Sequence, residues 1–249
     1  MWRLSSRSLK TKVSSVQFFI DFDGTITKTD VVDKILEKFA SDEWKEIEKE
    51  WIEGTIGSRE CLTRQLALVS ATKTEISQLI SEVEIDPHFV SFLKLADQYG
   101  VSVTIVSDGF RLIIEGVLKH ALKNTGDLYK FISIYANDLV WKDEHLNVAF
   151  PDGAVCQHGC ANCKPRVILK RQTKGKKVIF IGDGLSDRFA AMVSDLTFAK
   201  SKLLKFCEQK NIKHKKYSNF KEIEEWMIKY FADQHSARDQ EKPYLVERN

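Results

Sequence analysis

No hydrophobic run in the chain approaches the about 18–20 residues that a membrane-spanning helix needs, so no membrane partner is expected. Net charge is nearly absent too: 38 Lys and Arg oppose 35 Asp and Glu, leaving +3. So small an excess gives no reason to expect a nucleic-acid partner. Two short basic runs, Lys174–Lys177 and Lys213–Lys216, read as solvated turns ahead of strands. Cysteine is scarce, five residues, odd in number and scattered. The N-terminal stretch has no apolar core of the kind a secretory signal carries. Together these point to a reducing compartment and a cytoplasmic location. The first fifteen residues hold two Arg, two Lys and five Ser, and no acid occurs before Asp21. A mitochondrial or plastid transit segment has that composition, and so does a short basic tail ahead of the first strand. We take it as a tail. Internal repeats and low-complexity segments are also lacking, which excludes solenoids.

What is present is ordinary globular material, 249 residues with 43% hydrophobic and 29% charged. Val16–Ile20 is a short apolar run that stops abruptly at Asp21-Phe-Asp-Gly-Thr25. A run of that length reads as a buried strand of a parallel sheet, with the acids at its carboxyl end. Helical periodicity follows over residues 27–86, in four segments broken near Gly54 and Gly57. Further strands are expected at Val101–Val106, Phe131–Tyr135, Leu139–Phe150, Val178–Ile181 and Leu196–Ala199. Helices are expected over 87–100, 110–123, 164–172 and 220–231. The predicted fold is α/β, a Rossmann-like parallel sheet core with an inserted helical bundle. The expected division is a tail at 1–15, a core at 16–26 and 87–235, a helical cap at 27–86, and a polar tail at 236–249.

Acids or hydroxyls follow three of these strands: Asp21 and Asp23, Ser107, and Asp183 and Asp187. Neighbouring parallel strands end on one edge, so these groups can converge. Two carboxylates just past a buried strand are costly unless a cation compensates them, and hard oxygen donors suit Mg²⁺. A simple Asp-Gly turn is the bland alternative for the first pair. Ser107, with the backbone of Asp108 and Gly109, offers donors to an anion, and Lys164 at a helix start offers a cation.

In this order the four elements resemble the motifs of the haloacid dehalogenase superfamily of phosphatases: Asp21-Phe-Asp-Gly-Thr25, Ser107, Lys164 and Gly182-Asp-Gly-Leu-Ser-Asp187. The resemblance spans about Val16 to Phe231 and implies a nucleophile at Asp21, forming an aspartyl-phosphate. It implies that Asp23 is the general acid and then base, and that Ser107 and Lys164 hold the phosphoryl group. Mg²⁺ is implied at Asp21, the Asp23 carbonyl and Asp183. Asp187 either reaches the metal through water or orients Lys164. The insert between the first two motifs resembles the phosphoserine-phosphatase-like subgroup. The Cys160–Pro165 stretch and the Ser-Asp-Gly motif look closest to its methionine-salvage branch, which acts on 2-hydroxy-3-keto-5-methylthiopentenyl 1-phosphate. The implied partner is a small phosphorylated metabolite; monomer and homodimer are equally compatible. Phosphoserine is the alternative substrate. For that reading Asp30, Arg59 and Arg64 are the candidate selectivity residues, although neither arginine aligns cleanly. A non-catalytic phosphate-binding module is a further alternative, disfavoured by the intact Asp21/Asp23 pair.

Cys156, His158, Cys160 and Cys163 place four soft or borderline donors within eight residues. Such donors suit Zn²⁺. The spacing is tighter than the usual pair of separated knuckles, so a lid loop with incidental thiols and a reversible Cys160–Cys163 disulfide stay open beside zinc.

Overall fold

A computed structural model describes residues 14–142, 145–151 and 156–240. Most of the basic N-terminal segment therefore lies outside the described residues.

Seven strands form one sheet: β1 Val16–Ile20, β2 Ser102–Phe110, β3 Ile132–Lys142, β4 His145–Ala149, β5 Lys177–Gly182, β6 Leu196–Ala199 and β7 His214–Lys216. Their spatial order is β4-β3-β2-β1-β5-β6-β7. All neighbours are parallel except the β3/β4 pair. Strand β1 is central, so both faces are covered and Val16, Gln17, Phe18, Phe19 and Ile20 are all buried. Alternation sends Phe18 and Ile20 to one face with Phe92, Phe220 and Trp226. Phe19 goes to the other with Ile168, Phe180 and Leu203.

Ten α-helices and two short 3₁₀ helices, Gly126–Phe131 and Leu185–Asp187, complete the described fold. Four of the α-helices, α1 Val31–Phe39, α2 Trp44–Glu53, α3 Ser58–Leu66 and α4 Lys73–Glu82, follow β1 within residues 27–86, as the helical periodicity predicts. Their ends carry recognisable chemistry. Asp30 caps α1 by accepting from the amides of Val32 and Asp33, and Thr72 with Glu75 forms a capping box on α4. Glycine in the left-handed region at φ 80° closes α2 at Gly54. The remaining helices are α5 Phe89–Gln98, α6 Arg111–Leu122, α7 Lys164–Arg171, α8 Arg188–Met192, α9 Ser201–Gln209 and α10 Phe220–Gln240.

Three boundaries differ from expectation. The run read as one strand over 139–150 is the end of β3 plus β4, an antiparallel pair with Leu139 opposite Val148. In the sequence, Lys142-Asp-Glu-His145 interrupts the apolar pattern between the two strands. Strand β2 continues past Val106 to Phe110 through a register shift, so Ser107 and Gly109 belong to an irregular strand end rather than a loop. Helix α10 runs beyond Phe231 to Gln240, because no Gly or Pro interrupts its helix-forming sequence. Among the described residues, no helix is long and apolar enough to cross a membrane.

Candidate active site

The carboxyl ends of β1, β2 and β5 are adjacent, and their loops meet there. Asp21 keeps its amide in the ladder, donating to the Ile181 carbonyl at 2.9 Å. The chain then wraps on itself: the amides of Thr25, Ile26 and Thr27 all donate to the Phe22 carbonyl. Gly24 sits at φ 69°, and a Cβ there would lie 2.7 Å from Asp183 Oδ2. Only glycine meets both demands. Thr25 Oγ1 donates to Asp183 Oδ1 at 2.9 Å, tying the first loop to the one after β5.

The two acids of the first loop occupy different surroundings. Lys164 Nζ, at the first residue of α7, donates to Asp21 Oδ1 and Asp187 Oδ1, each at 2.6 Å, and to Ser186 Oγ at 3.2 Å. Asp23 instead accepts the Val31 amide at the α1 N-terminus (3.0 Å) and a hydrogen bond from Ser107 Oγ (3.3 Å). Ser107 Oγ accepts in turn from the Gly109 amide at 2.9 Å. A Cβ on Gly109 would lie 2.6 Å from Asp23 Oδ2.

Three carboxylates, Asp21, Asp183 and Asp187, bring oxygens within 4.8 Å of one another, against one buried ammonium. Burial first, then the charge of Asp187, pushes the Asp21 carboxyl well above its ordinary range and Asp183 to about 6. For Lys164 burial opposes the charge, but Asp187 and Asp21 override it and hold the ammonium above its usual range. The cluster is short of positive charge, and its donors are hard oxygens. Asp21 and Asp183 therefore fit a Mg²⁺ ion. Both Asp187 oxygens are already engaged: Oδ1 by Lys164, Oδ2 by the Asp183 and Gly184 amides at 3.0 and 3.1 Å.

A cavity of about 290 Å³ opens above these groups. Its floor includes Asp21, Asp23, Ser107, Asp108, Gly109, Lys164 and Asp183. Its far wall comes from α1–α3 and holds Asp30, Asp33, Glu48, Trp51, Ser58, Leu62 and Gln65, faced by Lys202 from α9. Asp30 thus lines the cavity as well as capping its helix. Arg59 and Arg64 do not reach it. Arg64 is held by Glu50 at 2.7 and 2.9 Å, and the Arg59 guanidinium stacks 4.1 Å from the Phe150 ring centroid.

Asp33 shows what the acidic wall costs. Burial, then Asp30, Glu48 and Glu37, push its carboxyl to about 7. The folded chain therefore binds that proton more tightly than the unfolded chain. Stability from this source is complete below the ordinary carboxylate range and is lost as pH rises toward 7. Asp33→Asn should raise Tm by about 2–4 °C at about pH 8, a gain that shrinks toward zero near pH 4. Thermal melts at the two pH values check the sign.

Sequence reasoning missed several parts of this region. Asn162 is a brace: its amide donates to Asp108 Oδ1 (3.1 Å), and its side chain donates to the carbonyls of Ser107 and Tyr135, each at 2.9 Å. Glu48, Gln65 and Lys202 were missed as well. The position of Asn162 two residues before Lys164 was the one available signal.

The expected Cys/His set divides. The sulfurs of Cys156, Cys160 and Cys163 lie within 4.8 Å of one another. His158 is turned away, its ring centroid 3.9 Å from that of Phe189, so the four-donor set becomes three thiols.

A family profile described as haloacid dehalogenase-like hydrolase matches residues 18–192. Among curated relatives, the 2-hydroxy-3-keto-5-methylthiopentenyl-1-phosphate phosphatase of Bacillus pumilus is 29% identical, covering 84% of this chain and 94% of its own. The enzyme of that name from Bacillus velezensis is 30% identical, covering 82% and 86%. A substrate-bound phosphoserine phosphatase structure superposes with a TM-score of 0.66 at 21% identity, over 86% of this chain and 99% of that one, a likeness of fold. The chain belongs to the haloacid dehalogenase-like hydrolase family, as a hydrolase of its phosphatase kind.

Proposed function

We propose that this chain is a Mg²⁺-dependent phosphatase that cleaves a small phosphate monoester through an aspartyl-phosphate on Asp21. The observation that supports this is the separation of two carboxylates over one cavity floor, Asp21 against Lys164 and Asp23 against Ser107. A carboxylate oxygen of Asp21 attacks phosphorus while Lys164 and Ser107 hold the phosphoryl oxygens. The bond to the leaving oxygen breaks, and Asp23 gives that oxygen a proton. Asp23 then takes a proton from water, whose oxygen attacks phosphorus and frees Asp21. Asp21, Asp183 and the Asp23 carbonyl would hold Mg²⁺, which when bound supplies positive charge beside the phosphate oxygens. Asp187, with both oxygens occupied, acts as a positioning residue for Lys164.

The helices α1–α3 act as the substrate-selecting cap in this reading. Phosphoserine would need a cation for its carboxylate. Neither Arg59 nor Arg64 is in the cavity, and Lys202 is one cation facing three acids. A hydroxy-keto chain ending in a thioether, as the Bacillus relatives' substrate is named, suits this wall better. Trp51 and Leu62 offer apolar surface, and Asp33, lifted by burial to about 7, offers a donor. With Mg²⁺ present, that enol phosphate should be turned over with kcat/KM at least about tenfold above phosphoserine, and the reverse order would overturn the substrate assignment.

Glu48 probes the cap better than Asp30, whose loss would also remove a helix cap worth about 1 kcal/mol. Glu48 accepts from Gln65 Nε2 at 3.0 Å. Glu48→Ala should lower kcat/KM for the true substrate about tenfold, mainly through KM, and leave a plain aryl phosphate within about twofold. Equal losses on both substrates would defeat the cap-selectivity reading.

A further inference from the structure

Cys61 and Cys207 are buried in the core, as free cysteines usually are. Cys156, Cys160 and Cys163 are not. They lie half-buried in an irregular polar loop, yet their sulfurs come within 4.8 Å of one another. Apolar packing does not account for three thiols converging at partial exposure. None of the three is in a disulfide.

The same loop joins three parts of the molecule. Cys163 immediately precedes Lys164, and Asn162 braces the end of β2. Gly159 packs against the start of α3: the Arg59 amide donates to its carbonyl at 2.9 Å, and a Cβ on Gly57 would lie 2.7 Å from that oxygen. The fixed geometry of residues 156–164 thus sets both the site lysine and the seat of α3. A metal bound by its three thiols would fix that geometry further.

We propose that Cys156, Cys160 and Cys163 bind one Zn²⁺ ion as three thiolates, at a site separate from the proposed Mg²⁺ site. Three thiol protons are released on binding, and solvent completes the tetrahedron. His158, stacked on Phe189, is not a ligand.

The full chain, purified with zinc in the medium, should carry about one equivalent of zinc by elemental analysis. Metal-stripped protein titrated with Co²⁺ should develop a thiolate-to-cobalt charge-transfer band in the near ultraviolet. An oxygen-donor site such as Asp21 and Asp183 cannot produce that band, so the readout does not depend on phosphatase activity. Cys160→Ser should lose the band and the zinc, and His158→Ala should keep both. Zinc loading should also slow proteolytic cutting within residues 156–163 of the unsubstituted chain, independently of whether Cys160→Ser folds. Zinc-free protein without the cobalt band would overturn the proposal. So would a band that survives Cys160→Ser, or one that His158→Ala abolishes.

Discussion

Asp21→Asn is expected to give a folded protein whose turnover of any phosphate monoester falls at least about 10³-fold. The amide matches the carboxylate in shape, and its oxygen can still accept from Lys164, which now holds Asp21 Oδ1 at 2.6 Å. What disappears is the proposed nucleophile. The remaining donors, Ser107 and Lys164, can bind phosphate without any group to receive the phosphoryl. The same substitution removes a charge that burial and Asp187 disfavour. Tm measured without metal should therefore equal or exceed that of the parent. Phosphate binding with little turnover and an unchanged or higher Tm is the expected pattern. Retention of more than a few per cent of activity would remove Asp21 from its assigned role.

Lys164→Met is expected to cost the most stability of any single change at the site. The ammonium is 1% exposed and bridges Asp21 and Asp187, themselves buried. Removing one partner of a buried ion pair leaves uncompensated charge and costs about 3–5 kcal/mol. For a chain of this size that lowers Tm by on the order of 10 °C. The loss should grow with pH, because Asp21 holds a proton at low pH and repulsion returns as it ionises. The double variant Asp21→Asn/Lys164→Met should be more stable than Lys164→Met alone, since one of the stranded carboxylates is gone. Denaturant titrations of parent, singles and double measure the coupling. Additive losses would mean the lysine contributes packing and not charge. Activity should vanish in both lysine variants, because phosphoryl oxygens lose their fixed cation.

The sheet edge could be read from the sequence because each strand there is short, apolar and cut off by polar residues. Val16–Ile20 running into Asp21 and Val178–Ile181 running into Asp183 state both the strand and its carboxyl end. The helices of 27–86 were legible from period alone, since an amphipathic stripe is a local property. The reversal between β3 and β4 was less so, because both strands keep the same two-residue period and only the short polar break at 142–145 separates them in the sequence.

Residue type and spacing by themselves determined the parallel sheet, the acids at its edge and the lysine at a helix start. These follow from local rules: an apolar run must be buried, and charges beside it must be compensated. Only the tertiary structure decided which partner each group meets. It gave Asp187 to Lys164 and two backbone amides, turned Arg64 onto Glu50 and Arg59 onto Phe150, and parted His158 from the three thiols. It also made Asn162 a brace and brought Glu48 and Lys202 to line one cavity. A long side chain can reach several alternative neighbours from one backbone position. The choice among them rests on contacts between segments far apart in the chain, which no local pattern encodes.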